Sequence, residues 1–138
     1  MQIALDAMAG DHGPEELITG ALLATEQTDI RVSLVGDEAL LNRHLDKLAA
    51  SSESANLITI VHASQVIEMD EYPVDAIRKK KNSSVMVAFD LVRRGEADAV
   101  VSAGNSGATL AAGVRKLGRL RGISRTGIAS AFPTRKKP

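Results

Sequence analysis

The sequence predicts an α/β fold: a parallel sheet flanked on both faces by helices, an α/β/α sandwich. Two observations predict it. Short apolar runs alternate with segments of helical spacing, the strand–helix–strand order of a wrapped parallel sheet. The runs are also continuous rather than alternating, with Leu34 beside Val35 and Val100 beside Val101, which suits strands covered on both faces.

The first strand is expected over Gln2 to Asp6. Pro14 then opens a helix, since its fixed φ suits the first helical position, and Glu15 and Glu16 complement the positive helix start. Leu17, Ile18, Ala21, Leu22 and Thr25 keep helical spacing. The second strand is Arg31 to Gly36. Asp37 caps the next helix, which carries Leu40, Leu41, His44, Leu45 and Leu48 on one face. Ser51 to Ser54 form a polar surface loop before a third strand, Leu57 to His62. A helix begins at Ser83 or Ser84 with Val87, Leu91 and Val92 inward. The fourth strand is Ala97 to Ser102, and a helix runs from near Asn105 through Leu110 and Val114 to Leu117. A fifth strand is expected over Gly127 to Phe132. The chain then ends at Pro138 with no closing helix, which suggests a fold incomplete at its carboxyl end.

The 138 residues suffice for one domain, 1–138, with a substantial core. Lys+Arg and Asp+Glu both number 17, so no net field argues for nucleic acid or an anionic membrane, although a local basic site is compatible with that balance. The absence of Cys excludes disulfides, thiolate catalysis and Cys-based zinc sites. The opening Met-Gln-Ile-Ala-Leu-Asp lacks the basic region of a signal peptide, and no apolar run approaches the roughly 20 residues that span a bilayer. The expectation is a soluble, cytoplasmic protein. Aromatic residues are 2%, too few for a single-stranded nucleic acid platform, so the core must be Ala, Val, Leu and Ile.

Three segments can carry chemistry. Asp6 to Pro14 joins the first strand to the first helix, and ligands of open parallel sheets sit beyond strand carboxyl ends. Asp6, Asp11 and His12 bring ionisable groups to that edge, and Gly10 permits close backbone approach. The same residues also read as a tight turn with a capping Asp. Ser102 to Ala108 joins the fourth strand to its helix. Free N–H groups and the helix dipole favour an anion there, Gly104 and Gly107 allow close approach, and Asn105 and Ser106 add side-chain hydrogen bonds. It is neither a Walker A loop nor a Gly-x-Gly-x-x-Gly fingerprint. Arg78 to Lys81, followed by Ser83 and Ser84 at a helix start, reads as a phosphate or acidic-protein contact, or as a solvated charge run. Of the three His, His44 fits a packing boundary, His62 a strand end, and His12 proton transfer. No metal-ligand spacing is present.

Taken together and in order, these segments resemble the amino-terminal part of the PlsX-type phosphate acyltransferases. Ile3 to Pro14 resembles the family's opening Asp-x-Met-Gly-Gly-Asp and following Pro. Ser102 to Ala108 resembles its Ser-Ala-Gly-Asn-Thr/Ser-Gly-Ala segment, and Ala76 to Ala88, with Lys80, Asn82, Ser83, Ser84 and Met86, the stretch between. Gly122-Ile123 and Phe132-Pro133-Thr134 also fit. Ala9 stands where the family usually has Gly, a methyl that would restrict the loop, and the family's chains are more than twice as long.

The resemblance implies a fold of the isocitrate/isopropylmalate dehydrogenase-like group. It also implies transfer of a fatty acyl group from acyl-acyl-carrier-protein to orthophosphate, giving acyl phosphate for phospholipid synthesis. Homodimers peripheral to the inner face of the membrane, serving a membrane acyltransferase, are implied as well. No cofactor and no metal are expected. Asn105, Asp11 and His12 are the expected catalytic residues. Asp6, Gly10, Lys80, Lys81, Ser83, Ser84, Gly104, Ser106 and Gly107 are the expected phosphate and substrate contacts. The alternatives are a phosphate acetyl- or butyryltransferase acting on acyl-coenzyme A and a truncated, non-catalytic binding module.

Overall fold

The structure is a computed structural model that describes residues 1–49 and 53–130, the side chains of 53 and 54 excepted. Its elements in chain order are β1 (Gln2–Asp6), α1 (Pro14–Gln27), β2 (Arg31–Gly36), α2 (Glu38–Leu48), a 3-10 turn (Glu53–Leu57), β3 (Ile58–His62), α3 (Pro73–Lys79), α4 (Ser84–Arg93), β4 (Ala99–Ser102) and α5 (Ser106–Leu117). The strands form one sheet in the order β3-β2-β1-β4, and every pairing is parallel. The α/β expectation is therefore met by a four-stranded parallel sheet.

Alternate residues of each strand build two cores. Leu5, Val32, Leu34 and Ile58 point to one face, where Ile18, Ala21 and Leu22 of α1 and Leu41 of α2 cover them. Ala4 and Val35 point to the other, against Ala88 and Leu91 of α4 and Ala97. Ile18 and Leu34 are fully buried, each worth about 1.5–3 kcal/mol of hydrophobic stabilisation. A third cluster joins Ala76 and Ile77 of α3, Val85 and Met86 of α4, and Ala108 and Ala112 of α5. Asp90 of α4 pairs with Lys116 of α5 and clips the same two helices together.

Local chemistry explains the helix starts. Asp37 Oδ1 accepts from the Leu40 N–H at 2.8 Å and caps α2. Gly13 precedes Pro14 with φ 79°, a conformation that disfavours any side chain, and so directs the chain into α1. His44 is half-buried between α1 and α2, its Nδ1 3.7 Å from Glu15 Oε2, as its place among leucines suggests. His62 is exposed at the end of β3, where its Nδ1 accepts from the Glu38 N–H at 3.4 Å.

The structure corrects four sequence readings. Residues 127–130 are exposed and form no strand, because no described strand pairs with them; residues 131 and 132 of that expected strand lie outside the described residues. Ser51 and Ser52 of the expected surface loop also lie outside them. β3 begins at Ile58 and β4 at Ala99, since Leu57 closes the 3-10 turn and Ala97 turns into the core below the sheet. β4 is not covered on both faces: Val101 is 50% exposed, because α5 departs to the α4 side. Finally, α3 was not anticipated. Its seven residues are too few for a stable isolated helix, and it persists by packing Ala76 and Ile77 on α4 and α5.

Candidate active site at the β1–β4 switch point

From β1 the chain proceeds through β2 to β3 in one direction, then returns to place β4 on the opposite side of β1. The sheet order therefore reverses between β1 and β4. At such a switch point the loops leaving adjacent strands diverge and open a crevice. The loops that diverge here are 7–13 and 103–105, two of the three segments singled out from sequence.

The two corners touch. A Cβ on Gly104 would stand 3.0 Å from the Ala9 Cβ, and one on Gly10 would stand 3.5 Å from the Ala103 Cβ. Gly104 thus makes room for the Ala9 methyl, which is buried, and no non-Gly residue among those described has positive φ. The feared restriction by Ala9 does not arise. Gly10, at φ 94°, occupies the left-handed region that glycine tolerates.

Beneath the corners lies Asp6, 3% exposed. The Ser102 hydroxyl donates to its Oδ2 at 2.9 Å, and the Gly104 N–H donates to Ser102 Oγ at 3.2 Å. A relay therefore runs from loop backbone to buried carboxyl. Burial raises the Asp6 carboxyl above its ordinary pKa, and the Ser84 hydroxyl, the Ser102 hydroxyl and the Met8 N–H offset part of that rise. Asp6 faces the α4 side of the sheet, so the start of α4 completes this floor. Ser83 and Ser84 are both buried there, and Ser83 Oγ has no hydrogen-bond partner among the described residues.

Asn105 is the N-cap of α5. Its Oδ1 accepts from the Ala108 N–H at 3.0 Å, and its Nδ2 donates to the carbonyls of Met69 at 3.1 Å and Glu71 at 3.0 Å. The expected catalytic side chain is thus committed to scaffolding. The donors left at this corner belong to the backbone: the N–H groups of Ser106 and Gly107, in the first turn, have no intrahelical carbonyl to meet. Gly107 also lets α3 close on this turn, for a Cβ there would stand 2.7 Å from Pro73 Cγ.

The four consecutive cations are not equivalent. Arg78 and Lys79 end α3 and are exposed, as is Lys81. Lys80 turns inward instead, where its Nζ donates to the Val66 carbonyl at 2.6 Å and pairs with Glu71. Asp11 and His12 are exposed on the first corner and make no hydrogen bond or ion pair with another described residue. A cavity of about 630 Å³ opens beside the corner along α5, with Ser102, Gly104 and Ser106 at one end and Leu110, Val114 and Leu120 along its length. Among the described residues, no group of three or more His, Asp or Glu is placed to hold a metal ion.

Sequence reasoning overlooked Glu71 and Ser102 as site residues. Ser102 was readable as the strand-end hydroxyl preceding Gly104. Nothing local ties Glu71 to the site, since Lys80 and Asn105, the two site residues it meets, lie 9 and 34 residues away.

The family described as fatty acid synthesis protein matches residues 1–138. The chain belongs to that family. Similar proteins include the phosphate acyltransferase of Pelotomaculum thermopropionicum, 51% identical over 136 residues, which are 99% of this chain and 39% of the relative. That of Trichlorobacter lovleyi is 52% identical over 134 residues, 97% of this chain and 38% of the relative. That of a Picosynechococcus species is 46% identical over 133 residues, 96% and 36% respectively. The PlsX-type resemblance is thereby borne out, and the chain spans about two fifths of the length of the relatives it matches.

Proposed function

We propose that the whole protein of which these residues are part transfers a fatty acyl group from acyl-acyl-carrier-protein to orthophosphate. The observation that carries this reading is the contact between the two glycine-bearing corners, over the Asp6–Ser102 pair and at the first turn of α5. A tetrahedral oxyanion suits that place, because free N–H groups and the helix dipole both favour negative charge. The cavity along α5 supplies apolar space beside it.

Orthophosphate is its own nucleophile. A phosphate oxygen forms a bond to the thioester carbonyl carbon, the carbon–sulfur bond breaks, and the proton of monohydrogen phosphate passes to the departing sulfur. Phosphate bound by the Ser106 and Gly107 amides, with Gly10 and Gly104 allowing its approach, is held for attack, which makes the reaction effectively unimolecular. Lys80, Lys81, Ser83 and Ser84 contribute charge and hydroxyls from the α4 side. Asp11 or His12 assists the proton. The amides that meet the developing carbonyl oxyanion lower the barrier further. The exposed Arg78, Lys79 and Lys81 dock an acidic carrier protein.

The finer assignments belong to the same reading. They are the isocitrate/isopropylmalate dehydrogenase-like grouping of the complete sheet, a homodimer, and a cytoplasmic protein peripheral to a membrane acyltransferase. Among the described residues no helix is long and apolar enough to cross a membrane. The test is acyl phosphate formation by the full-length protein, with acyl-carrier protein and acyl-coenzyme A compared as donors. The expected result is phosphate-dependent product with the carrier-protein donor, and a KM for that donor that rises with salt. Preference for acyl-coenzyme A would favour the acetyl- or butyryltransferase reading, and no product with either donor would overturn acyl transfer.

A further inference from the structure

Lys80 and Asn105 lie on different elements, one at the end of α3 and the other at the start of α5, yet both hold the same short loop. Lys80 Nζ donates to the Val66 carbonyl at 2.6 Å and pairs with the Glu71 carboxylate. Asn105 Nδ2 donates to the carbonyls of Met69 at 3.1 Å and Glu71 at 3.0 Å. Glu71 is the residue common to both. Its own carboxylate is fixed in turn, since Oε1 accepts from the Glu68 N–H at 2.8 Å. The Glu68 bond and the Lys80 pair hold the Glu71 carboxyl below its ordinary pKa, so it is ionised at neutral pH.

We propose that Glu71 is a positioning residue for the phosphate corner. Its carboxylate sets the Lys80 ammonium and its carbonyl sets the Asn105 side chain, so that the cation and the α5 cap face the crevice together. This rests on the reading of the crevice as a phosphate site. Two of the three Lys80 protons are used by Val66 and Glu71, which leaves the third to direct at an anion. Without Glu71 the four-carbon stem is free to rotate the ammonium into solvent, and the phosphate loses a charge held in place. The carbonyl contact to Asn105 survives any side-chain change at 71, so a side-chain variant isolates the Lys80 arm.

The test is a double-mutant cycle in the full-length protein, read in KM for orthophosphate and KM for the acyl donor. Glu71→Ala is expected to raise KM for orthophosphate about tenfold, the loss of roughly one charge-assisted hydrogen bond, and to leave KM for the donor within about twofold. Glu71→Gln restores KM for orthophosphate, because its amide oxygen accepts the same two bonds. In a Lys80→Met background Glu71→Ala has no further effect, since the two residues act through one contact. Should the Ala variant fail to fold, Glu71→Asp runs the same cycle with the carboxylate withdrawn by one methylene. Additive effects of the two substitutions, or equal changes in both KM values, would overturn the assignment. Loss of all phosphate dependence in the unmodified protein would instead overturn the reading of the crevice.

Discussion

Asn105→Ala in the full-length protein is expected to raise KM for orthophosphate about tenfold and to cost roughly 2–3 kcal/mol of stability. The stability loss follows from three hydrogen bonds. Losing the cap on the Ala108 N–H costs about 1 kcal/mol. Losing the two donors to Met69 and Glu71 leaves their carbonyls short of a partner and costs about as much again for each. The KM change follows indirectly, because the amides of Ser106 and Gly107 keep their aim only while the first turn of α5 is capped. Asn105→Asp separates the effects. Its Oδ1 still caps the helix, but its second oxygen replaces a donor with an acceptor against the Met69 and Glu71 carbonyls, so the cap is kept while those two contacts become repulsive. The new charge stands beside the anion and removes both donors, so KM for orthophosphate rises further than in the Ala variant. If the Asp variant bound phosphate as well as the Ala variant, no anion would sit at this helix start. Urea unfolding and phosphate titration of initial rates provide both measurements.

Asp6→Asn is expected to make the protein more stable at neutral pH while lowering kcat/KM for orthophosphate about tenfold or more. The sign follows from linkage. Burial raises the folded-state pKa of Asp6, so between about pH 4 and that raised value the native state holds more protons than the unfolded chain. Stability contributed by this group therefore falls as pH rises through that window, and the penalty is complete above it. Asn carries no charge to bury and still accepts from the Ser102 hydroxyl. The difference in Tm between Asn and wild-type proteins should be greatest at neutral pH and close as pH falls toward about 4. A wild type more stable than the variant at pH 7 would show that the hydrogen bonds the Asp6 carboxylate accepts from Ser84, Ser102 and the Met8 N–H outweigh its burial. A buried carboxyl that opposes folding yet sits under the proposed site is the usual pattern of a functional group, where stability is given up for chemistry.

Much of this arrangement is legible along the chain because it depends on neighbours in sequence. Asp37 caps α2 through Leu40, three residues on, and Pro14 starts α1 next to Gly13. The two corners are readable for the same reason, since Gly10, Gly104 and Asn105 stand at strand ends. Lys80 is different. Nothing in Arg78 to Lys81 distinguishes one cation from the others, and only Glu71 and Val66, brought up by the loop after β3, turn Lys80 inward and leave its neighbours in solvent. Asn105 likewise reads as an anion ligand in isolation and becomes a scaffold residue once the 69–71 carbonyls arrive.

The amino-acid sequence by itself determined the α/β class, the parallel strands β1 to β3, the starts of α1, α2, α4 and α5, and the two glycine-bearing corners that leave β1 and β4. These follow from hydrophobic period, proline and glycine geometry and capping, all of which act within a few residues. Only the tertiary structure decided that β4 lies beside β1 and brings both corners into contact, that α3 forms at all, and that Asp6 is buried with Ser102 while Lys80 and Asn105 share Glu71. Those outcomes depend on contacts between residues up to 96 positions apart, as for Asp6 and Ser102, which no local pattern encodes.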